Sequence, residues 1–310
     1  MSLDPNVWSE QRIVLILPRF QTAAMNYRHA FHAGNPADVI KHAALARILT
    51  YLMVKDTPFR MLDTHAGAGL YDLAGTNARR TGEADTGIER VLAAEASGAI
   101  PAPALKLLAP YLDTVKALRA RSGARRYPGS PALGLALSRP QDRFLFCELN
   151  REERSKLDKA IGVDPRAKIL NQDGWQALSA HLPPRERRGV VLVDPPFEEP
   201  GEFDRMRLGL TAAHARFATG IFMFWYPIKD LRALDAFRRD VAHLRIPKVL
   251  RVEMDFAQVR SLDILSGSGL IIVNPPFTLA DEMRTVLNAL APMLARDGQG
   301  RVRVSWLTAA

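Results

Sequence analysis

The chain predicts an α/β fold: an open, mostly parallel seven-stranded sheet interrupted by a small helical insertion. Three observations predict it. Short apolar runs alternate with helical patterns along most of the sequence. Those runs are continuously apolar rather than alternating, as parallel strands covered on both faces require. The first run opens into a glycine-rich turn, Thr64-His65-Ala66-Gly67-Ala68-Gly69, the strand-then-turn beginning of a dinucleotide-type half-fold. Composition agrees, with 310 residues, 47% hydrophobic and 24% charged. These proportions exclude a coiled coil, a collagen-like chain and a disordered tail. The single cysteine, Cys147, excludes an internal disulfide and a cysteine-based zinc site. The charge is lopsided, 42 Lys and Arg against 33 Asp and Glu, a formal +9 that favours a polyanionic partner.

The elements follow in order. Residues 1–24 read as a leader outside the domain, with Met25 the expected start and 25–310 the domain proper. The aliphatic run Ile13–Leu17 is closed by Pro18 and preceded by the acids Asp4 and Glu10, unlike a signal peptide. No run approaches the ~18–20 apolar residues that span a bilayer, so a cytoplasmic protein with no membrane partner is expected. Asn35-Pro36-Ala37-Asp38 starts a helix, with Asn35 as cap, Pro36 at the first position and Asp38 at the positive end. Ile40, Ala44, Ile48 and Leu52 recur every four residues and predict an amphipathic helix. Phe59–Asp63 is the first strand. Residues 75–126 interrupt the alternation with two helical patterns, Ile88–Ala96 and Ala104–Ala120, and form the insertion. Gly129-Ser130-Pro131 restarts the alternation with Ser130 as a helix cap. Strands are expected at Arg143–Cys147, Lys168–Leu170, Val190–Val193 and Ile221–Trp225. Val249–Phe256 and Leu270–Val273 close the sheet as an irregular hairpin.

Ligands of open parallel sheets bind at the carboxyl ends of the strands. Gly67 and Gly69 admit a ligand close to the backbone, although Asp72 stands where a full G-x-G-x-x-G fingerprint needs its third glycine. Glu148, ending the second strand, is either a surface acid or a carboxylate that accepts from both ribose hydroxyls. Asp173-Gly174, after the third, is either a plain turn or an adenine contact, the acid accepting from the amino group. Asp194-Pro195-Pro196-Phe197, after the fourth, is more specific. Its prolines fix the turn, the acid and a neighbouring carbonyl aim acceptors at one exocyclic amine, and the ring stacks on a flipped base. Holding those N–H bonds in position favours attack of the amine on a methyl sulfonium. A second copy, Asn274-Pro275-Pro276-Phe277, ends an antiparallel strand. It opens on the opposite side of the sheet and is read as structural.

The order glycine loop, acid, Asp-Gly, Asp-Pro-Pro-Phe resembles the S-adenosylmethionine-dependent N6-adenine methyltransferases. The run Tyr27-Arg28-His29-Ala30-Phe31-His32-Ala33-Gly34-Asn35, with Ala37-Asp38 and Lys41-His42, is similar to the start of the ribosomal RNA large-subunit methyltransferase J family. So are Asp63–Gly69, Gly129-Ser130-Pro131 and the late Asn-Pro-Pro-aromatic, and the resemblance covers residues 25–305. It implies the Rossmann-like class I S-adenosylmethionine-dependent methyltransferase fold. His42, His65, Ser130, Glu148, Asp173 and Gly174 then match cofactor contacts, Asp194 matches both a cofactor contact and the catalytic acceptor, and Tyr27 matches a tyrosine that meets the RNA. The implied reaction is N6 methylation of one adenine in 23S ribosomal RNA, on free RNA, by a monomer using S-adenosylmethionine and no metal. Phe197 departs from the family's usual tyrosine and loses a phenol hydrogen bond while keeping the stacking ring.

Other readings of the same residues are a DNA adenine or glutamine methyltransferase, or a non-enzymatic nucleic-acid-binding protein of DNA uptake and utilisation. A binder has no need of the glycine loop, Glu148, Asp173 and Asp194 together. His29, His32, His42 and His65 lack the acidic partners of a metal cluster. Lys41 is expected to be solvated or near phosphate, and Tyr226 to line the base pocket by position alone. Arg119, Arg121, Arg125 and Arg126 are candidates for RNA phosphate contact at the site mouth.

Overall fold

A computed structural model describes residues 32–75, 82–259, 264–296 and 298–309. The leader, Met25 and Tyr27 lie outside the described residues. Asn35 starts helix α1 (Pro36–Leu52) as expected, its side chain accepting from the Asp38 N–H at 2.9 Å. The helix is not amphipathic, however. It is buried on nearly all sides, between the sheet and the helices of the insertion and the carboxyl end, so even Lys41 and His42 are only 3% and 1% exposed.

Strand β1 (Arg60–Asp63) leads into the glycine turn and a short ribbon, β2 (Leu70–Asp72) paired antiparallel with β3 (Arg126–Pro128). This ribbon brackets the insertion, which holds α2 (Glu83–Thr86), α3 (Ile88–Ala96) and α4 (Ala102–Ser122). The alternation then resumes with α5 (Ser130–Leu137), β4 (Arg143–Cys147), α6 (Arg151–Ile161), β5 (Ala167–Leu170), α7 (Gly174–Ala180), β6 (Gly189–Val193), α8 (Glu202–Arg216) and β7 (Ile221–Ile228). The end of the chain adds α9 (Leu231–His243), β8 (Val249–Asp255), β9 (Gly267–Val273), α10 (Leu279–Leu294) and β10 (Val302–Thr308).

The main sheet has eight strands in the order β10-β8-β9-β7-β6-β1-β4-β5. Its five strands from β7 to β5 are parallel, and β8 and β9 form the expected antiparallel hairpin. The expected count of seven falls one short because β10 was not foreseen. Val302-Arg303-Val304-Ser305-Trp306 is a half-exposed edge strand, and such a strand alternates in polarity instead of running continuously apolar. Two apolar layers clothe the sheet. One packs α1, α4, α5 and α10 on one face, and the other packs α7, α8 and α9 on the opposite face. Cys147 is a buried core residue whose thiol is pushed up to about 12, chiefly by burial.

Sheet polarity separates the two Pro-Pro turns. Val193 lies beside Phe224 in the parallel pair, whereas Val273 lies opposite Phe222 in the antiparallel one. Asn274 therefore leaves the sheet at the end remote from Asp194. There its amide donates to the carbonyls of Ala218 and Gly220 at 2.7 and 2.9 Å.

Candidate active site

The carboxyl ends of β1, β4, β5 and β6 open into one cleft of about 1150 Å³. Asp63, at the end of β1, is fully buried and accepts from the Ser130 hydroxyl at 2.6 Å. Burial pushes its carboxyl up to about 7, against the pull of the Ser130 hydrogen bond. The chain then turns through Gly67 and Gly69, whose φ values of 61° and 72° favour glycine. That turn presents the Gly67 N–H to Glu148 at 2.8 Å, while the Asn150 N–H donates to the other Glu148 oxygen at 2.7 Å. Glu148 is thus held by backbone at both oxygens, and its burial raises it against both bonds.

Asp173 caps α7, accepting from the Gln176 N–H at 2.9 Å. A Cβ at Gly174 would lie 2.3 Å from the Thr64 carbonyl oxygen and 2.8 Å from the His65 ring. Glycine is what lets the first turn of α7 lie against the Thr64-His65 turn here. His65 bonds Thr64 Oγ1 at 2.8 Å and meets the Trp175 ring edge-on. Burial pulls His65 down to about 4, so its ring is neutral at physiological pH.

Asp194 follows β6. Its Oδ2 lies 2.5 Å from Lys41 Nζ, which also pairs with Asp38 at 2.7 Å. Burial alone would lower the Lys41 ammonium, but the two carboxylates override it and hold it above the usual lysine range. Lys41 is therefore a buried clamp on Asp194 and not the solvated side chain expected, because α1 is enclosed on all sides. His42, next to it, bonds the Tyr127 hydroxyl at 2.7 Å.

The cleft brings together His42, His65, Ser130, Glu148, Asp173, Gly174 and Asp194. Pro196 also lines it, but the Phe197 ring packs edge-on against Phe203 and Trp225 at 5.2 and 5.8 Å. Tyr226 does not line the cleft. It is fully buried and donates to Glu253 at 2.7 Å. Among the insertion arginines, Arg119 pairs with Glu89, Arg125 with Asp85 and Glu89, and Arg126 more loosely with Asp72. Arg121 is exposed. Trp175 and Glu202 escaped the sequence reading, and the contacts of Lys41 and Asp63 in the site did too. Only the i, i+3 spacing of Asp38 and Lys41 offered a signal, since the others are set by tertiary packing. Glu202, 4% exposed, lines the cleft and is pushed up to about 7, chiefly by burial.

A family model described as "Ribosomal RNA large subunit methyltransferase D, RlmJ" matches residues 56–308. The chain belongs to this family. It is 38% identical to the ribosomal RNA large subunit methyltransferase J of Escherichia coli (strain K12), over 91% of this chain and 99% of that relative. The Haemophilus influenzae methyltransferase J is 34% identical over 92% and 99%. A crystal structure of a Legionella pneumophila protein superposes with a TM-score of 0.80 at 32% identity, covering 88% of this chain and 98% of that one. As a member of the methyltransferase J family the chain is a methyltransferase, built on an open, mostly parallel α/β sheet with its cleft at the carboxyl ends of the strands, where such sheets bind ligands.

Proposed function

We infer that the chain transfers a methyl group from S-adenosylmethionine to the N6 amine of one adenine in 23S ribosomal RNA. The observation that carries this reading is the placement of Asp194 and Pro196 in the same cleft as Glu148 and Asp173-Gly174. The residues fit the cofactor. Glu148 keeps lone pairs for ribose hydroxyls after accepting its two backbone N–H bonds. Asp173 and the Gly174 N–H suit the adenine edge, and His42, His65 and Ser130 line the remaining wall. Glu202, buried in the wall of this cleft beside Trp175 and Arg205, adds a further polar group there.

When bound, the cofactor supplies an electrophilic methyl on a sulfonium. The chain supplies position and electrostatics. Lys41 occupies Asp194 Oδ2 and fixes the carboxylate plane, which leaves Oδ1 to accept an amine N–H. Pro195 and Pro196 stiffen the turn, so the acceptor does not drift from its aim. In this reading Tyr27 and Phe197 meet the flipped base, and Phe197 swings from its contacts with Phe203 and Trp225 or holds the base at its exposed edge. The enzyme acts as a cytoplasmic monomer on free RNA. The relatives named for large-subunit ribosomal RNA support the substrate. Among the described residues no helix is long and apolar enough to cross a membrane.

The test is mass mapping of 23S RNA modifications in a deletion strain, complemented with wild type or Asp194→Ala. One N6-methyladenine is expected to vanish and to return only with wild type. Wild-type methylation by a folded Asp194→Ala protein would overturn the site. Transfer to duplex DNA in preference to RNA in vitro would overturn the substrate.

A further inference from the structure

The formal +9 is not spread evenly over the molecule. The cleft is lined by seven carboxylates, among them those of the exposed Glu198 and Glu199, against Lys41 and Arg205. Its lining therefore repels phosphate. The opposite end of the sheet is the reverse. There the segments 53–60, 138–143, 162–168, 181–188, 216–220 and 244–248 lead into β1, β4, β5, β6, β7 and β8, and together they carry twelve Lys and Arg against four acids. Three of those acids are already taken, Asp142 by Arg139, Asp164 by Arg166 and Glu186 by Arg60.

What is left over is exposed. Lys55, Lys168, Arg185, Arg187, Arg245 and Lys248 make no ion pair among the described residues. Arg187, Arg245 and Lys248 stand at φ 50°, 54° and 56°, left-handed conformations that glycine would take without strain, so cations occupy turns whose sterics alone favour glycine. The patch is continuous with an exposed aromatic. Phe277, 82% exposed, meets the Tyr51 ring edge-on at 6.4 Å. Val54, next to Lys55, donates its N–H to the Tyr51 carbonyl at 3.1 Å, and the Asn274 N–H donates to the Lys248 carbonyl at 3.0 Å. Asn274-Pro275-Pro276-Phe277 thus runs from the Lys248 loop to the Lys55 turn and carries its ring into solvent.

We propose that this end of the sheet is an RNA-docking surface, its cations holding phosphates of the chain that flanks the target adenine and Phe277 stacking on an unpaired base there. Exposed cations around an exposed ring are the means by which RNA is held without reading its sequence. The distance is short. A five-residue strand such as β6 spans about 16 Å from one end of the sheet to the other, so one long ribosomal RNA reaches both. The proposal rests on the ribosomal RNA reading of the cleft and deepens it: the cleft takes one nucleotide, and the phosphate contacts that supply affinity lie at the far end.

Filter-binding titrations with transcribed 23S RNA between about 50 and 200 mM salt test it on two fourfold variants of equal charge loss. One carries Lys55→Gln, Arg187→Gln, Arg245→Gln and Lys248→Gln. The other carries Lys106→Gln, Arg232→Gln, Arg296→Gln and Arg301→Gln, exposed cations of other surfaces. The first is expected to weaken binding at least about tenfold and to lower the log–log salt slope by about 3, the second to weaken it less than about twofold. Phe277→Ala is expected to weaken binding about fivefold with the salt slope unchanged. Calorimetric titration with S-adenosylmethionine is expected to give wild-type affinity in all three, showing that the cleft is intact. Unchanged RNA affinity and salt slope in the first variant would overturn the proposal and leave the patch to an acidic protein. Equal loss in both fourfold variants would overturn it as well, since net charge alone would then be the cause, and wild-type affinity in Phe277→Ala would overturn the stacking role. A wild-type protein that prefers duplex DNA to 23S RNA would instead count against the ribosomal RNA reading, with the two variants still locating the phosphate contacts.

Discussion

At the scale of single residues, two nearly identical tetrapeptides do different work. Asp194 and Asn274 each precede Pro-Pro-Phe, but Asp194 faces the cleft and Asn274 ties down the segment before β7. Asn274 also sits at φ 50°, a conformation asparagine tolerates better than most residues. Asn274→Ala is expected to lower unfolding free energy by about 1–3 kcal/mol in urea titration while methyl transfer per folded molecule is retained. Lys41 lies between Asp38 and Asp194, all three largely buried. Lys41→Met removes the counter-charge from both carboxylates and is expected to cost about 3–5 kcal/mol at pH 7; an unchanged urea midpoint would refute the clamp. Asp63 adds a pH signature. Its folded value of about 7 lies above the ordinary 3.8, so the folded chain keeps a proton that the unfolded chain releases. That group's contribution therefore falls as pH rises from about 4 to about 7, by at most about 1.4 kcal/mol per pH unit, and is flat below that window. Asp63→Asn, which keeps an acceptor for Ser130, is expected to remove this slope from a series of urea titrations across pH.

At the scale of elements, the insertion is docked on the start of α1 with little room to spare. The Ile88 N–H at the head of α3 donates to the Gly34 carbonyl at 2.8 Å. A Cβ at the preceding Gly87 would lie 2.0 Å from that same oxygen and 2.6 Å from the Asn35 carbonyl carbon, both backbone atoms that cannot swing aside. Gly87→Ala is expected to destabilise by about 3 kcal/mol and to loosen the whole insertion, read as faster amide exchange in α3 and α4. Wild-type protection there would mean that the two segments meet less closely. The helices and parallel strands were legible because burial on both faces writes a continuous apolar run. Two kinds of element were not. Edge strand β10 and the β2–β3 ribbon are too short or too polar to announce themselves. Helix α1 showed an apolar face every four residues, but its polar positions Asp38, Lys41 and His42 are buried too. Nothing in the periodicity distinguishes a solvated lysine from one enclosed by two acids.

At the scale of the whole molecule, the formal +9 meets a polyanionic substrate. RNA binding is expected to weaken steeply between 50 and 200 mM salt in filter-binding titrations, since phosphate contacts release counterions. A flat salt dependence would return the basic excess to ordinary solvated surface. Within the insertion, the candidates for phosphate contact are fewer than charge alone implied. Arg119 and Arg125 are tied to Glu89 and Asp85, holding the insertion together, and Arg121 remains exposed. By itself the sequence determined the α/β class, the strand ends that meet in the cleft, the separation of Asp194 from Asn274 at opposite ends of the sheet, and the family. These depend on local pattern and chain order, which a linear string records. Tertiary structure alone decided that Lys41 clamps Asp194, that Phe197 packs against Phe203 and Trp225, that Tyr226 serves the core, and that Tyr127 reaches His42. Each of those depends on which groups meet across long stretches of chain, and on the desolvation that follows when they do.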